Sequence, residues 1–303
     1  MSKVSSVIKS MRLRTLPLSL GGVCLGTMLA AADYKIGAWP VFFLLLTTAS
    51  LQVLSNLSNE LGDHLSGTDT EDRQGPKYGL MEGGLTVKEF KWVIGTVIVC
   101  CLVFGALMIR TSFGSLLKLE SICLMMLGVA AIGGAMKYTL GRNPYGYRGL
   151  GDLFVFIFFG LVSVLGSYFV VAHTVESFLL ILPAAGVGFF SMGVLNVNNI
   201  RDMRTDAASR VTVAMKLGLH RARVYQTVLI VLGWACMIAY CLCRFQDPWH
   251  YLFVVTLPLY VIHLKGIWTR EERALDPMLP LLVMSTFLLC ILMGFGFLKF
   301  LLF

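Results

Sequence analysis

Nine stretches of this chain are each about as long as the ~20 apolar residues needed to cross a bilayer, and most of the connections between them are short. They fall near residues 16–33, 40–60, 91–109, 116–136, 152–172, 177–199, 223–243, 249–266 and 279–301. Charged residues make up 14% of the chain, against roughly 25% in soluble domains. Too few polar groups remain to coat a water-facing surface. Lipid must therefore solvate much of the molecule, and helices must satisfy the backbone. The expected fold is all-α, about nine transmembrane helices in one membrane domain spanning residues 1–303. Pro17, Pro40, Pro183, Pro258 and Pro280 lie in or near spans, where membrane helices tolerate them. The basic N-terminal lead-in runs straight into the first span, with no cleavable signal pattern.

Charge orients the spans. With the N-terminus inside, twenty of the 25 lysines and arginines fall in inside segments, leaving Lys35, Arg110, Lys118, Arg244 and Lys299 outside. A wrong number of spans would scramble that division. It predicts an outside C-terminus and puts both long polar loops, 61–90 and 200–222, on the cytoplasmic face. The net charge of +8 is thus a membrane-orienting charge. With no soluble basic domain, nucleic-acid binding is not expected. The eight cysteines all sit in apolar stretches, without zinc or disulfide-framework spacing. The five histidines form no metal-binding cluster.

Two polar segments stand out. The first opens at the inner end of span two with Asn56, Asn59, Glu60 and Asp63. Asn56, Glu60 and Asp63 follow i, i+4, i+7 spacing, and Asn59 and Asp63 are i, i+4, so each set shares a helical face. The second opens at the inner end of span six, where Asn198, Asp202 and Asp206 are i, i+4, i+8. Asn56-Leu-Ser-Asn59 recurs as Asn196-Val-Asn198-Asn199, a weak internal repeat that suggests two related helical halves. Carboxylates near a bilayer are costly, and like charges one turn apart repel. A divalent cation between them removes both penalties. Oxygen-only donors suit Mg²⁺, which takes one or two carboxylates together with phosphate oxygens. Facing stripes would hold Mg²⁺ over a diphosphate. Arg73, Lys77, Arg201 and Lys216, close in sequence, are expected to neutralise the remaining phosphate charge. A transporter would instead place binding groups near the midplane on broken helices. Ordinary solvated loops would leave two matching stripes unexplained.

At RLRTLP (12–17), NLSNELGDHLSGTDTEDRQGP (56–76), YGYRGLGDLFVFIFFGLVSVLGSY (145–168) and NVNNIRDMRTD (196–206), followed by KLG (216–218), the chain resembles the UbiA superfamily of intramembrane aromatic prenyltransferases. Within it, the 145–168 stretch is similar to the branch that acts on 1,4-dihydroxy-2-naphthoate. The resemblance implies nine helices around a central cavity in a bacterial inner membrane, with the active site facing the cytoplasm. It implies Mg²⁺ as cofactor, polyprenyl diphosphate as donor and release of CO₂ and diphosphate. It casts Asn56, Asn59, Glu60, Asp63, Asn198, Asp202 and Asp206 as metal-site residues, with Asp63, Asp202 and Arg148 central to catalysis. Tyr138 and Tyr147 are either interfacial anchors or active-site rings that face a prenyl cation and contact the acceptor. Asp152 is either a helix-opening carboxylate or an acceptor contact. Arg14 either meets the acceptor's carboxylate or snorkels to headgroups. The family pattern has Asp where this chain has Glu60, and Gly-Lys where it has Ser209-Arg210, which keeps the cation.

Overall fold

A computed structural model describes residues 2–67, 76, 78–175, 177–207 and 210–298. Among them, nine helices are long and apolar enough to cross a membrane, as expected. Helix α1 (Lys3–Ser10) leads through a turn into α2 (Leu16–Asp33). Then come α3 (Ala38–Ser66), α4 (Val87–Phe113) and α5 (Leu119–Lys137). The fifth span begins as α6 (Gly151–Val155), widens into a π-helix (Phe156–Gly166) and ends as α7 (Ser167–Ala172). After it follow α8 (Ile181–Arg201), the short α9 (Met203–Asp206) and α10 (Val213–Leu217), and α11 (Leu219–Cys243). A 3₁₀ stretch (Pro248–Thr256) opens α12 (Leu257–Thr269), and α13 (Met278–Leu298) closes the described chain.

Several boundaries differ from the sequence expectation, and one matters. Helix α3 runs on to Ser66, where Gly67 ends it in the left-handed conformation (φ 72°). Asp63, which the expected spans put at the start of the loop from 61, therefore continues the same helix as Asn59. In the second motif the helix breaks at Asp202 (φ −95°, ψ 6°), and α9 restarts beyond it. The stripe of Asn198, Asp202 and Asp206 therefore crosses a kink.

The tightest pairings are α3 with α4, α2 with α13, and α8 with both α11 and the π-helix. Small residues permit these approaches, since in lipid the packing itself drives association. Gly160 on the π-helix meets Gly188 and the Ala184 carbonyl so closely that an added Cβ would lie 2.6 Å from backbone atoms. Gly26 likewise abuts Val164 O and Ser167. At the end of the bundle away from the motifs, Arg244 makes a two-pronged ion pair with Asp33 (2.7 and 3.0 Å), tying α11 to α2.

Helix α5 is the least buried span. It packs on α3 and α4, while its packing against the fifth span is sparse. Two clasps bound the space between them. At the motif end, Tyr145 donates to Gly134 O (2.8 Å) and stacks on Phe154 (3.9 Å between centroids). At the far end, Ser112 of α4, just before α5, donates to Val170 O of α7 and pairs with His173. Between the clasps, both helices line one cavity.

The π-helix contact gives a direct test. Gly160→Val should cost about 1–3 kcal/mol of stability through backbone overlap, read as a lower Tm in detergent. Gly95→Ala, whose new methyl meets nothing within 4 Å, should leave Tm unchanged.

Candidate active site

The central cavity has a volume of about 380 Å³. Its polar end is formed by α3 and α8–α9, and its apolar length by α3, α5 and the π-helix. Asn56, Asn59 and Asp63 line it from one side, and Asn198, Asn199, Asp202 and Asp206 from the other. The two sequence stripes, 140 residues apart, thus converge on one space.

Their charges are already met by arginines. Arg210 reaches Asp206 (Nε to Oδ2, 3.1 Å) and Asp63 (Nη2 to Oδ1, 3.5 Å), bridging the two motifs. Burial works against its charge, but Asp63 and Asp206 outweigh that, so its pKa stands above the ordinary value. Its guanidinium also lies 5.2 Å from the Tyr147 ring centroid. Tyr147 donates to Asp63 Oδ1 (2.7 Å). Burial and the adjacent Asp63 charge push its hydroxyl up to about 12, so it remains a donor at neutral pH. Sequence reasoning noted Arg210 only as a retained cation. Its bridging position follows from the fold.

Arg201, expected on the diphosphate, does not line the cavity. It is 2% exposed and spans Asp202 with two bonds (2.8 and 2.6 Å), also reaching Asn198 Oδ1 (2.8 Å) and Asp276 (2.6 Å). This arrangement fixes the rotamers of Asp202 and Asn198 at the kink. Arg14 meets Asp276 (3.5 Å) and the Tyr78 hydroxyl (3.3 Å), away from the cavity wall. Arg12 occupies that wall instead. Lys216 and Arg148 are exposed and outside the cavity. Arg73 and Lys77 lie outside the described residues.

Glu60 is also turned away. Fully buried, its Oε1 accepts from Leu80 N–H (2.8 Å), anchoring the connection that precedes α4. Asn56 lines the cavity, but its amide is committed to Met11 O (2.9 Å) and Thr15 Oγ1 (3.0 Å), and it accepts from Gln52. Its repeat partner Asn196 does the equivalent job on α8, binding Ala222 O (3.0 Å) and Gln226 Oε1 (2.9 Å) of α11. In each half, one motif asparagine fastens the helix to its neighbour. Asp152 accepts from Tyr225 Oη (3.1 Å), lies on a small side cleft and opens α6, which matches the helix-opening reading. Tyr138 lines the cavity, edge-on to Tyr145 (5.4 Å), and burial drives its hydroxyl pKa up.

The donors at the polar end are all carboxylate and amide oxygens. Among the described residues, no three carboxylates, histidines or cysteines group closely enough to hold an ion alone. Such a set fits Mg²⁺ when ligand oxygens complete the shell, the usual manner of Mg²⁺ binding with phosphates. The Arg210 guanidinium lies between Asp63 and Asp206 and pairs with both.

A helical ring around an apolar cavity, with paired Asn/Asp motifs at one end, defines an intramembrane prenyltransferase architecture. The chain belongs to the UbiA prenyltransferase family, whose model matches residues 19–291. It is 37% identical over 291 residues to the 1,4-dihydroxy-2-naphthoate octaprenyltransferase of Haemophilus influenzae, covering 95% of this chain and 94% of that protein. It is 35% identical over 298 residues to the enzyme of the same name from Escherichia coli, covering 97% and 96%. Its fold matches the apo structure of a UbiA homologue from Aeropyrum pernix K1 with a TM-score of 0.71 at 15% identity, over 96% of this chain and 99% of that one.

The ion-pair geometry separates structural from exposed cations. Arg201→Ala should destabilise the protein by about 3–5 kcal/mol, because it leaves a buried carboxylate uncompensated. Lys216→Ala should leave Tm unchanged. Thermal melts in detergent read both.

Proposed function

We propose that this protein transfers a polyprenyl group from polyprenyl diphosphate to 1,4-dihydroxy-2-naphthoate, releasing CO₂ and diphosphate and giving demethylmenaquinol for menaquinone biosynthesis. One observation carries the reading: Asn/Asp motifs from two helix ends face each other across one cavity whose remaining length is apolar. Such a space accepts a molecule with a charged head and a long hydrocarbon tail. The likeness to octaprenyltransferases acting on 1,4-dihydroxy-2-naphthoate supports the same acceptor and donor class.

The chemistry follows from charge. The allylic C–O bond breaks when the departing diphosphate is stabilised. Mg²⁺ held by Asp63, Asp202 and Asp206 with Asn59 and Asn198 would supply Lewis-acid neutralisation of the phosphate oxygens. Arg210, between the motifs, adds a fixed cation, and Tyr147 holds Asp63 in place. The Tyr138, Tyr145 and Phe158 rings beside the polar end offer π-faces to the allylic cation. A water-poor apolar wall protects that cation from hydrolysis. The acceptor's carboxylate-bearing carbon forms the new C–C bond. The carboxylate then leaves as CO₂, returning its bond electrons to the ring, so no external base is required. The basic flank of the motif end supports a site on the cytoplasmic face.

The tail has a route in the sparsely packed space between α5 and the fifth span. Gly128 of α5 borders the cavity, and a Cβ there meets nothing within 4 Å. A bulky residue at that point projects into the route.

The deciding experiment supplies purified protein with Mg²⁺, prenyl diphosphates of several lengths and either 1,4-dihydroxy-2-naphthoate or 4-hydroxybenzoate. Mass spectrometry and CO₂ capture follow the products. The expected result is a decarboxylated prenyl-naphthalenediol with stoichiometric CO₂. A prenylated 4-hydroxybenzoate that keeps its carboxyl group would refute the acceptor assignment. Asp63→Asn and Asp202→Asn should insert normally and lose at least about 100-fold in turnover. Gly128→Trp should lower kcat/KM for octaprenyl diphosphate about tenfold more than for geranyl diphosphate. An equal fall for both donors would place the tail elsewhere.

A further inference from the structure

The turn between α1 and α2 holds an arginine in an expensive posture. Arg12 adopts a left-handed backbone (φ 49°, ψ 51°), which non-glycine residues occupy rarely. That conformation lays the guanidinium over the Tyr78 ring, 4.0 Å from its centroid, and into the cavity wall beside Thr15, Gln52 and Asn56. Its Nε and Nη2 are buried and have no hydrogen-bond partner among the described residues. Gln52 Oε1, of another residue lining the same cavity, is likewise unpaired. Buried charged donors are normally satisfied, and an exception calls for a cause.

The identity of the unpaired atoms points to the missing partner. Nε and Nη2 form one edge of the guanidinium, the fork that meets a planar carboxylate with two parallel bonds. Stacking on Tyr78 fixes the plane of that fork. The neighbouring Asn56 side chain cannot serve, since it is committed to Met11 and Thr15. Asn56 lies seven residues before Asp63 on α3, about 10 Å along the helix axis. Asn56, which lines the same cavity as Arg12, is thus set back from Asp63 by a span comparable to an aromatic acid.

We infer that Arg12 is the specificity-determining residue that receives the carboxylate of the aromatic acceptor. Arg14, the arginine the sequence suggested for this role, is held by Asp276 and Tyr78 instead. Tyr78 sets the orientation of Arg12, and Thr15, Gln52 and Asn56 form a polar floor around it. The inference rests on the proposed function only in taking the acceptor to be an aromatic acid.

Steady-state kinetics on the purified enzyme test it, with each substrate varied in turn. Arg12→Gln should raise KM for the aromatic acid at least about tenfold while KM for the prenyl diphosphate stays within about twofold. Arg12→Lys should recover part of that loss, because it restores the charge without the fork. Inhibition by 1-naphthol, which lacks a carboxylate, should be unchanged in both variants, whereas inhibition by 1-hydroxy-2-naphthoate should weaken. A rise confined to the diphosphate KM, an equal rise in both, or no change in either would overturn the inference. If Arg12→Gln does not fold, Arg12→Lys is judged by the same criteria. If the wild-type enzyme prefers 4-hydroxybenzoate, the acceptor assignment fails, yet the Arg12 comparison still stands with that acid.

Discussion

Charge in a lipid-bounded interior must be met by charge, and the ion pairs around Arg201 and Arg210 meet it. Asp63, Asp202 and Asp206 are all buried. Left alone, they would repel one another and resist burial. Arg201 answers Asp202 from behind, outside the cavity. Arg210 answers Asp63 and Asp206 from between the motifs. One arginine therefore holds the Asp202 carboxylate in position, and the other holds the two motif ends together.

That division of labour shapes the rest of the bundle. Asn56 and Asn196 anchor the two motif helices to their neighbours through backbone carbonyls, one in each half. Glycines let the π-helix and α8 come within backbone contact, seating the second motif's helix against the fifth span. The sparse packing between α5 and the fifth span then leaves an apolar side to the cavity. A protein handling a tail that is soluble in lipid and a head that is soluble in water needs both features in one space.

Much of this was legible in the amino-acid sequence. The apolar segments are long enough to count, and basic residues alternate between their ends, so nine spans follow from hydropathy and charge. The Asn and Asp spacing announced two oxygen-rich helix ends. Less could be read about individual side chains. Glu60 shares a helical period with Asn56 and Asp63, yet it turns to Leu80 N–H because the connection before α4 folds back over it. Arg14 and Arg12 are two residues apart, and only the left-handed turn at Arg12 decides which of them faces the cavity. Arg148 and Lys216 lie close to motifs in sequence and remain exposed.

The sequence by itself determined the solvent of this protein, its number of spans and the chemistry offered at two helix ends, because hydropathy and helical periodicity are local properties. Only the tertiary structure decided which cations line the cavity and which are buried in ion pairs behind it. That choice depends on contacts between residues far apart in the chain, such as Asp276 with Arg201 and Arg210 with Asp63. Those contacts are fixed by helix packing, on which spacing along a single helix carries no information.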